Sequence, residues 1–407
     1  MSEWKEVSLS ELGKTITGKT PSSQYPEDFG DEVPFITPSD SFEKKYISRS
    51  ERYLSRLGSD RLKDKIISSD SIMVTCIGSA MGKVAKNSLP SVTNQQINSI
   101  IVNENFDSDY IYYLFKNNYA VFRNAASGST AIPILNKTDF DNLRFKVELD
   151  LNQQRKMVSI LSKIDAKIEI NNQINQELEA MAKTLYDYWF VQFDFPDQNG
   201  KTYKSSGGKM VYNPELKREI PEGWGVEKLG DISQYVSEKV DSFELNIENY
   251  VGTDNMIAGM GGIELTTSIP KSGTSTKFSA GDILISNIRP YFKKIWLSDR
   301  TGGCSADVLC IRTNRTISKE FVYATLARDD FFNYDVAGSK GSKMPRGDKK
   351  HIMEYPIVFE FGIAEQYSKI VKPIYEAVHE NNNQNQELTQ LRDWLLPMLM
   401  NGQVKVE

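Results

Sequence analysis

The parts of this chain best equipped for chemistry are loops in which cations sit among amides and hydroxyls. Lys19, Thr20 and Ser22 fall in a small, polar stretch. Lys44 and Lys45 open a segment whose basic residues outnumber its acids, and Lys83 ends a glycine-bounded loop. Asn94, Gln95 and Gln96 offer amides able to pair bidentately with an adenine edge, and Ser129 and Thr130 form a hydroxyl-bearing turn. The second half of the chain adds Asn255, then Arg289, Tyr291, Lys293 and Lys294, where cations meet aromatic faces. Ser339, Lys340, Lys343 and Arg346 belong to a run, 338–350, with five cations and one acid. Such side chains neutralise phosphates and hydrogen-bond to base edges, so together they make a candidate DNA surface. Any one of them alone reads more readily as a solvated loop residue; the set, at matched places in both halves, favours the DNA surface.

Residues able to catalyse are harder to assemble. The Gly78-Ser79-Ala80-Met81-Gly82-Lys83 segment is one residue short of a phosphate-binding loop, and Val84 stands where a magnesium-binding hydroxyl belongs. Asp31, Glu43 and Lys45 can be forced into a nuclease-like set, but such spacings arise by chance when 25% of residues are charged. The two histidines, His351 and His379, both lie late in the chain, which disfavours a Ser-His-Asp triad and histidine metal sites. Cys76, Cys304 and Cys310 are odd in number and widely spaced, which suits a reducing cytoplasm better than a disulfide frame. No catalytic, cofactor-binding or metal-ligating residue is therefore expected in this chain.

The elements that must position the loops are set by an internal repeat. Trp4 with Leu9, Glu11 and Leu12 matches Trp224 with Leu229, Asp231 and Ile232. The strand-like run 71–75 matches 282–286, Gly128-Ser129 matches Gly338-Ser339, and Asn-Gln-Glu-Leu occurs at 175–178 and 385–388. All offsets are about 210 to 220 residues, far longer than a solenoid repeat. Each copy begins with about 140 residues of short strands, glycines and loops, which reads as a compact α+β domain.

Each copy ends in a long helix. Ile160, Ile164, Ile168, Ile174, Leu178, Met181 and Leu185 form one helical stripe. Ile363, Tyr367, Ile370, Ile374, Val378, Leu388, Leu391 and Leu395 form the other, which Pro373 should kink or restart. Such helices, roughly 50–60 Å long at 1.5 Å per residue, need each other as antiparallel packing partners. Their amide-rich centres, 171–176 and 381–386, read either as a register-fixing buried layer or as a solvated strip. The expected architecture is α+β: two globular domains of mixed α/β structure separated by two long antiparallel helices, a coiled-coil spacer, in a pseudo-twofold tandem repeat. Its parts are a first domain at 1–150, a central helix at 151–193, a glycine- and proline-rich linker at 194–222, a second domain at 223–361 and a distal helix at 362–400.

Bulk properties agree with a globular protein of 407 residues. No run of eighteen apolar residues suggests a membrane span, and residues 1–6 lack the basic start and apolar core of an export signal. A net charge of -5 counts against a simple DNA binder, although local clusters matter more than the sum.

The order of parts resembles a known family. A domain opening on Trp and a short helix leads to a Gly-Ser…Pro turn and an Asn-Gln-Gln-Arg helix start (Asn152 to Arg155). A long helix with Asn-Gln-Glu-Leu follows, then linker phrases Tyr-Lys-Ser-Ser-Gly-Gly-Lys-Met-Val (203–211) and Ile-Pro-Glu-Gly-Trp (220–224), and the whole recurs. Over essentially the full chain this resembles the specificity subunits of type I restriction–modification systems. The resemblance implies two target-recognition domains that each read one half of a split, asymmetric DNA target. It also implies docking of two methyltransferase subunits and two ATP-dependent motor-nuclease subunits. S-adenosylmethionine, ATP and Mg2+ would then belong to those partners, and the modified base is typically an adenine. Two departures affect docking: the second repeat has Ala364-Glu365-Gln366 where the first has Asn152-Gln153-Gln154, and Pro373 has no counterpart. A DNA-binding adapter for another machine and a coiled-coil scaffold without DNA are the rival readings.

Overall fold

A computed structural model describes residues 4–78, 81–126, 133–314 and 317–404. The chain forms two compact units: Met1–Ile170 with Asn385–Glu407, and Asn171–Gln384. The unit boundaries cut through both long helices, Leu151–Tyr186 and Phe361–Met400, so each unit owns one half of each helix.

In the first unit, strand Trp4–Ser8 pairs antiparallel with Arg144–Glu148, immediately before the long helix. The helix start is therefore held by the first strand of the domain. Two five-stranded sheets follow. One runs in the order Gly13–Thr17, Ile97–Val102, Ile72–Thr75, Val84–Asn87, Tyr46–Ile47. The other is built on Val33–Ile36 and Ser91–Thr93. The strands Ile72–Thr75 and Val84–Asn87 are buried along their whole length, and the one charge among them, Lys86, is paired with Asp70 at 2.7 Å and Asp109 at 2.5 Å. Helix Ser108–Asn117 covers them with a run of buried rings, Tyr110, Tyr112, Tyr113 and Phe115.

The second unit repeats the plan. Gly225–Lys228 pairs antiparallel with Pro356–Phe359, again just before a long helix. Its two sheets have four strands each: Ser233–Tyr235, Val308–Thr313, Ile283–Ser286, Ile295–Leu297, and Lys239–Asp241, Thr274–Phe278, Gly302–Cys304, Tyr250–Val251. The segment expected to be a linker is largely structured. Met210–Asn213 and Arg218–Pro221 form a hairpin, and Phe193, Phe195 and Trp224 join the core. The Phe195 and Tyr203 rings stack with centroids 4.7 Å apart. Aromatic burial on this scale outweighs the turn-forming glycines around it.

The helix stripes differ in detail from those expected. Along the first helix the covered positions include Met157, Leu161, Ile164, Asn171, Asn175, Ala182, Tyr186 and Trp189, with Gln154, Val158 and Phe190 buried beside them. Ile174 and Met181 are exposed, as are Ile370 and Leu391 on the second helix. Steps of three and four sum to a seven-residue repeat, so the seam selects its residues by position rather than by hydrophobicity. Pro373 does not interrupt the second helix. It removes one donor, while buried Tyr367, Val371 and Val378 hold both sides of it.

Within each unit the two helix halves run antiparallel. In the first unit Met157, Val158 and Leu161 share a core with Leu396, Leu399 and Met400, and Arg392 donates to Asp165 at 3.0 Å. In the second, Tyr367 Oη donates to the Ala182 carbonyl at 3.1 Å. At the amide centre, buried Asn171 and Asn175 meet partly exposed amides of the second helix: Asn171 Nδ2 donates to Gln384 Oε1 (2.8 Å), Asn175 Nδ2 to Asn382 Oδ1 (2.9 Å) and Asn381 Nδ2 to Asn175 Oδ1 (2.8 Å). These bonds align only in one register.

The helix starts also correct the comparison between repeats. Asp150 caps the first helix through the N–H of Asn152 (2.8 Å), and Glu360 caps the second through that of Ile363 (2.9 Å). Gln154 therefore corresponds to Ala364, two residues from the match read in the sequence. Gln154 is fully buried, donates to the Glu148 carbonyl (2.8 Å) and accepts from Asp107 N–H (2.7 Å). Gln154→Ala removes both bonds and should lower stability by about 1–3 kcal/mol in urea denaturation. Ala364→Gly should cost roughly 1 kcal/mol or somewhat more, from helix propensity and a lost buried methyl.

Candidate nucleic-acid interface

In the first unit, chain crossings decide which candidates meet. The Gly18 N–H bonds to the Ile97 carbonyl at 3.2 Å and Lys19 N–H to the Thr93 carbonyl at 2.8 Å. This close approach requires glycine: a Cβ on Gly18 would lie 2.2 Å from the Asn94 carbonyl oxygen. Thr20 Oγ1 then donates to Gln95 Oε1 at 2.6 Å. Lys19, Thr20 and Gln95 consequently share one exposed edge. Asn94 is buried and braces Gln96, accepting from its N–H at 3.1 Å and donating to its Oε1 at 3.0 Å. Ser22 is exposed nearby in sequence and accepts from Gln24 N–H at 3.3 Å. Ser129 and Thr130 lie outside the described residues.

The other first-unit cations lie elsewhere. Lys44 pairs with Glu169 at 3.4 Å, on the long helix. Lys45 is mostly covered and reaches Asp109 at 2.7 Å and Ser162 at 3.3 Å. Lys83 pairs with Glu43 at 2.5 Å. Lys45 helps seat the helix half on its domain, so we leave it out of the proposed surface.

In the second unit two loops are laced side by side. Arg289 N–H donates to the Pro345 carbonyl at 2.7 Å and Gly347 N–H to the Asn287 carbonyl at 3.2 Å. The Lys340 and Arg346 backbones exchange bonds of 2.9 Å, which closes the basic loop. Lys340, Lys343 and Arg346 are exposed on it. Lys340 pairs with Asp348, and Arg346 with Asp307 at 3.1 Å. The Lys340 ammonium and the N–H groups of His351 and Lys350 pull the Asp348 carboxyl down to about 2. Ser339 Oγ donates back to the Val336 carbonyl at 2.8 Å. Lys293 pairs with Asp329 at 2.6 Å, and Lys294 donates to the Thr253 carbonyl at 2.7 Å. Exposed pairs like these contribute little, so their cations can exchange a carboxylate for a phosphate. Asn255 is buried and holds its own loop, accepting from Gly252 N–H and donating to the Glu264 carbonyl, both at 2.8 Å. It too is left out of the surface.

The two units place equivalent loops together. Ile77 bridges Ile134 as Ile288 bridges Arg346, and Gly78 N–H bonds to the Pro133 carbonyl (3.1 Å) as Arg289 N–H does to that of Pro345. Read in sequence, Gly78–Gly82 was only a failed phosphate loop. Its equivalence to Arg289–Lys293 carries no residue-type signal, because Arg289 and Lys293 stand where Gly78 and Gly82 do. Among the described residues no three His, Cys, Asp or Glu side chains gather as a metal site.

Behind the second-unit loops lies Asp335, 1% exposed, with no hydrogen-bond partner for either carboxylate oxygen. Burial pushes its carboxyl up to about 6, against a weak opposing pull from His351. A raised folded-state value means the charged form is disfavoured by folding. The protonated form supports the fold fully below the unfolded value near 3.8, and that support fades as pH rises through 6. Asp335→Asn should therefore raise the melting temperature above pH 6, by an effect of up to about 3 kcal/mol, and change little below pH 4. Thermal melts across that range check it.

Comparisons with known proteins agree with this geometry. The family pattern of the type I restriction modification DNA specificity domain matches residues 1–180. The chain is 27% identical to the type I restriction enzyme MjaIX specificity subunit of Methanocaldococcus jannaschii, over 100% of this chain and 94% of that protein. It is 37% identical to the HindI specificity subunit of Haemophilus influenzae, over 39% of this chain and 36% of that one. The crystal structure of a type I restriction–modification S subunit from M. genitalium superposes with a TM-score of 0.60 at 16% identity, covering 98% and 96% of the two chains. Residues 1–180 thus match a DNA specificity domain of the type I restriction–modification kind. Over its full length the chain is similar to the specificity subunits of such systems.

Proposed function

We propose that this chain is the non-catalytic DNA reader of its complex, with each unit reading one half of a split, asymmetric target. The observation that carries the reading is the pair of laced loops at the same place in both units, basic and exposed in the second. Lys19, Thr20, Ser22, Gln95 and Gln96 are the proposed first-unit contacts, and Ser129 and Thr130, outside the described residues, join them on their hydroxyl chemistry alone. Arg289, Tyr291, Lys293, Lys294, Ser339, Lys340, Lys343 and Arg346 are those of the second. Lys44, Lys83 and Asn94 contribute from the margins, as phosphate contacts or as support. The helix pair sets the unread spacer between the half-targets.

The partners follow from the same reading. Two methyltransferase subunits dock along the helices, where Ile174, Met181 and Tyr188 recur every seven residues as exposed apolar groups. Two ATP-dependent motor-nuclease subunits complete the restricting assembly. S-adenosylmethionine, ATP and Mg2+ are held by those subunits, and the complex works in the cytoplasm. No described helix is long and apolar enough to cross a membrane.

Mapping methylated adenines in cells with and without the gene tests the reading. Exchanging residues 1–150 for those of a relative should change one half of the target and leave the other; a change in both halves refutes independent reading. Reversing Lys343 and Arg346 to Glu should weaken binding on all sequences alike and flatten the salt dependence by about one log unit per lost phosphate contact. An unchanged slope removes these cations from the interface.

A further inference from the structure

The turn Arg289–Lys293 differs from its first-unit equivalent in a way that folding does not explain. Both turns enter and leave through left-handed backbone. In the first unit glycines supply it, Gly78 at φ 86° and Gly82 at φ 87°; in the second Arg289 holds φ 51° and Lys293 φ 52°. Glycine takes this conformation freely, while a side chain with a Cβ is strained in it. Strain kept at an exposed loop points to a function.

What the strained turn holds up is a pair of rings. Tyr291 is 49% exposed and Phe292 40%, with centroids 4.8 Å apart. Met344, on the neighbouring basic loop, is 50% exposed. The first-unit residue in Phe292's place, Met81, is buried at 1%. The backbone that carries the rings is held by two neighbouring segments. Arg289 N–H is tied to Pro345, Gly259 N–H donates to the Phe292 carbonyl (2.8 Å), and Met260 N–H to that of Lys293 (2.7 Å). Pro290 is buried beneath them. The buried Nε of Arg289 has no hydrogen-bond partner.

We propose that Tyr291 and Phe292 form a rigid aromatic wedge that enters a base step in the half-target read by the second unit and unstacks it. This rests on the DNA-reading function above. Charge complementarity selects DNA as the occupant: Lys293 adjoins the rings, and Lys340, Lys343 and Arg346 lie exposed on the loop bonded to the turn through Arg289 N–H and the Pro345 carbonyl. Apolar side chains that unstack a step between phosphate-gripping cations are a recognised way to distort a duplex. Stacking tolerates any base, so the wedge reads how easily the step opens rather than its hydrogen-bond pattern. The first unit's turn, with glycines and a buried Met81, carries no such pair among the described residues, so the distortion is one-sided.

The test starts from a randomised duplex library. The purified full-length chain selects its duplexes, and these are probed with permanganate, which oxidises thymines only where they are unstacked. The expected result is reactive thymines in one half of the enriched sequence. The double variant Tyr291→Ser with Phe292→Ser should abolish that reactivity and weaken binding about tenfold to a hundredfold, with its salt dependence and circular dichroism unchanged. Tyr291→Phe should keep the reactivity. Enriched duplexes that stay stacked, or stay reactive in the double variant, overturn the wedge and leave the DNA reading intact. A library that shows no enrichment overturns the DNA reading and the wedge with it. A double variant that keeps wild-type DNA behaviour but loses a co-purifying subunit assigns the rings to protein docking and overturns the proposal.

Discussion

The structure depends on each long helix finding its buried partner in the other repeat. In the first unit, the cores of strands and helices close only when Leu396, Leu399 and Met400 arrive from the far end of the sequence. Each such side chain contributes on the order of 1.5–3 kcal/mol when removed from water. In the second unit Tyr367 and Val371 share a core with Ala182 and Tyr186 in the same way. Neither repeat completes its own core without side chains from the other repeat's helix.

Polar layers then convert that pairing into a defined geometry. The bonds among Asn171, Asn175, Asn381, Asn382 and Gln384 are satisfied in one alignment, and a slip along the seam breaks several at once. In the first unit's half of the same helix, Asp165 is shared by Tyr113 Oη (2.5 Å) and Arg392 (3.0 Å), so one carboxylate ties helix, domain and partner helix together. A reader whose loops must meet a duplex needs such positioning, because a displacement of an ångström loses hydrogen bonds to base edges.

The two units share a scaffold and differ at its loops. Strand pairs before each helix, caps at Asp150 and Glu360 and the equivalent laced turns repeat. The second unit nevertheless has one strand fewer in each sheet and carries the more basic and more aromatic edge. Duplication supplies the frame while independent change at exposed loops supplies different specificity, since loop residues alter binding without disturbing a core.

Much of this was legible in the sequence, because repetition and helical periodicity are local and survive without coordinates. The matched pairs around Trp4 and Trp224, the two long helices and the family resemblance all came from residue order. Which apolar residues face the seam did not, since Ile174 and Met181 are as hydrophobic as their buried neighbours and only a partner helix distinguishes them. The fate of the cations was equally hidden. Lys45 and Lys343 look alike in a sequence, but Asp109 and Ser162, brought close by folding, occupy the first and leave the second exposed. Tertiary structure also decided that Gly78–Gly82 and Arg289–Lys293 are the same turn, because left-handed backbone is a property of the folded chain and not of residue type.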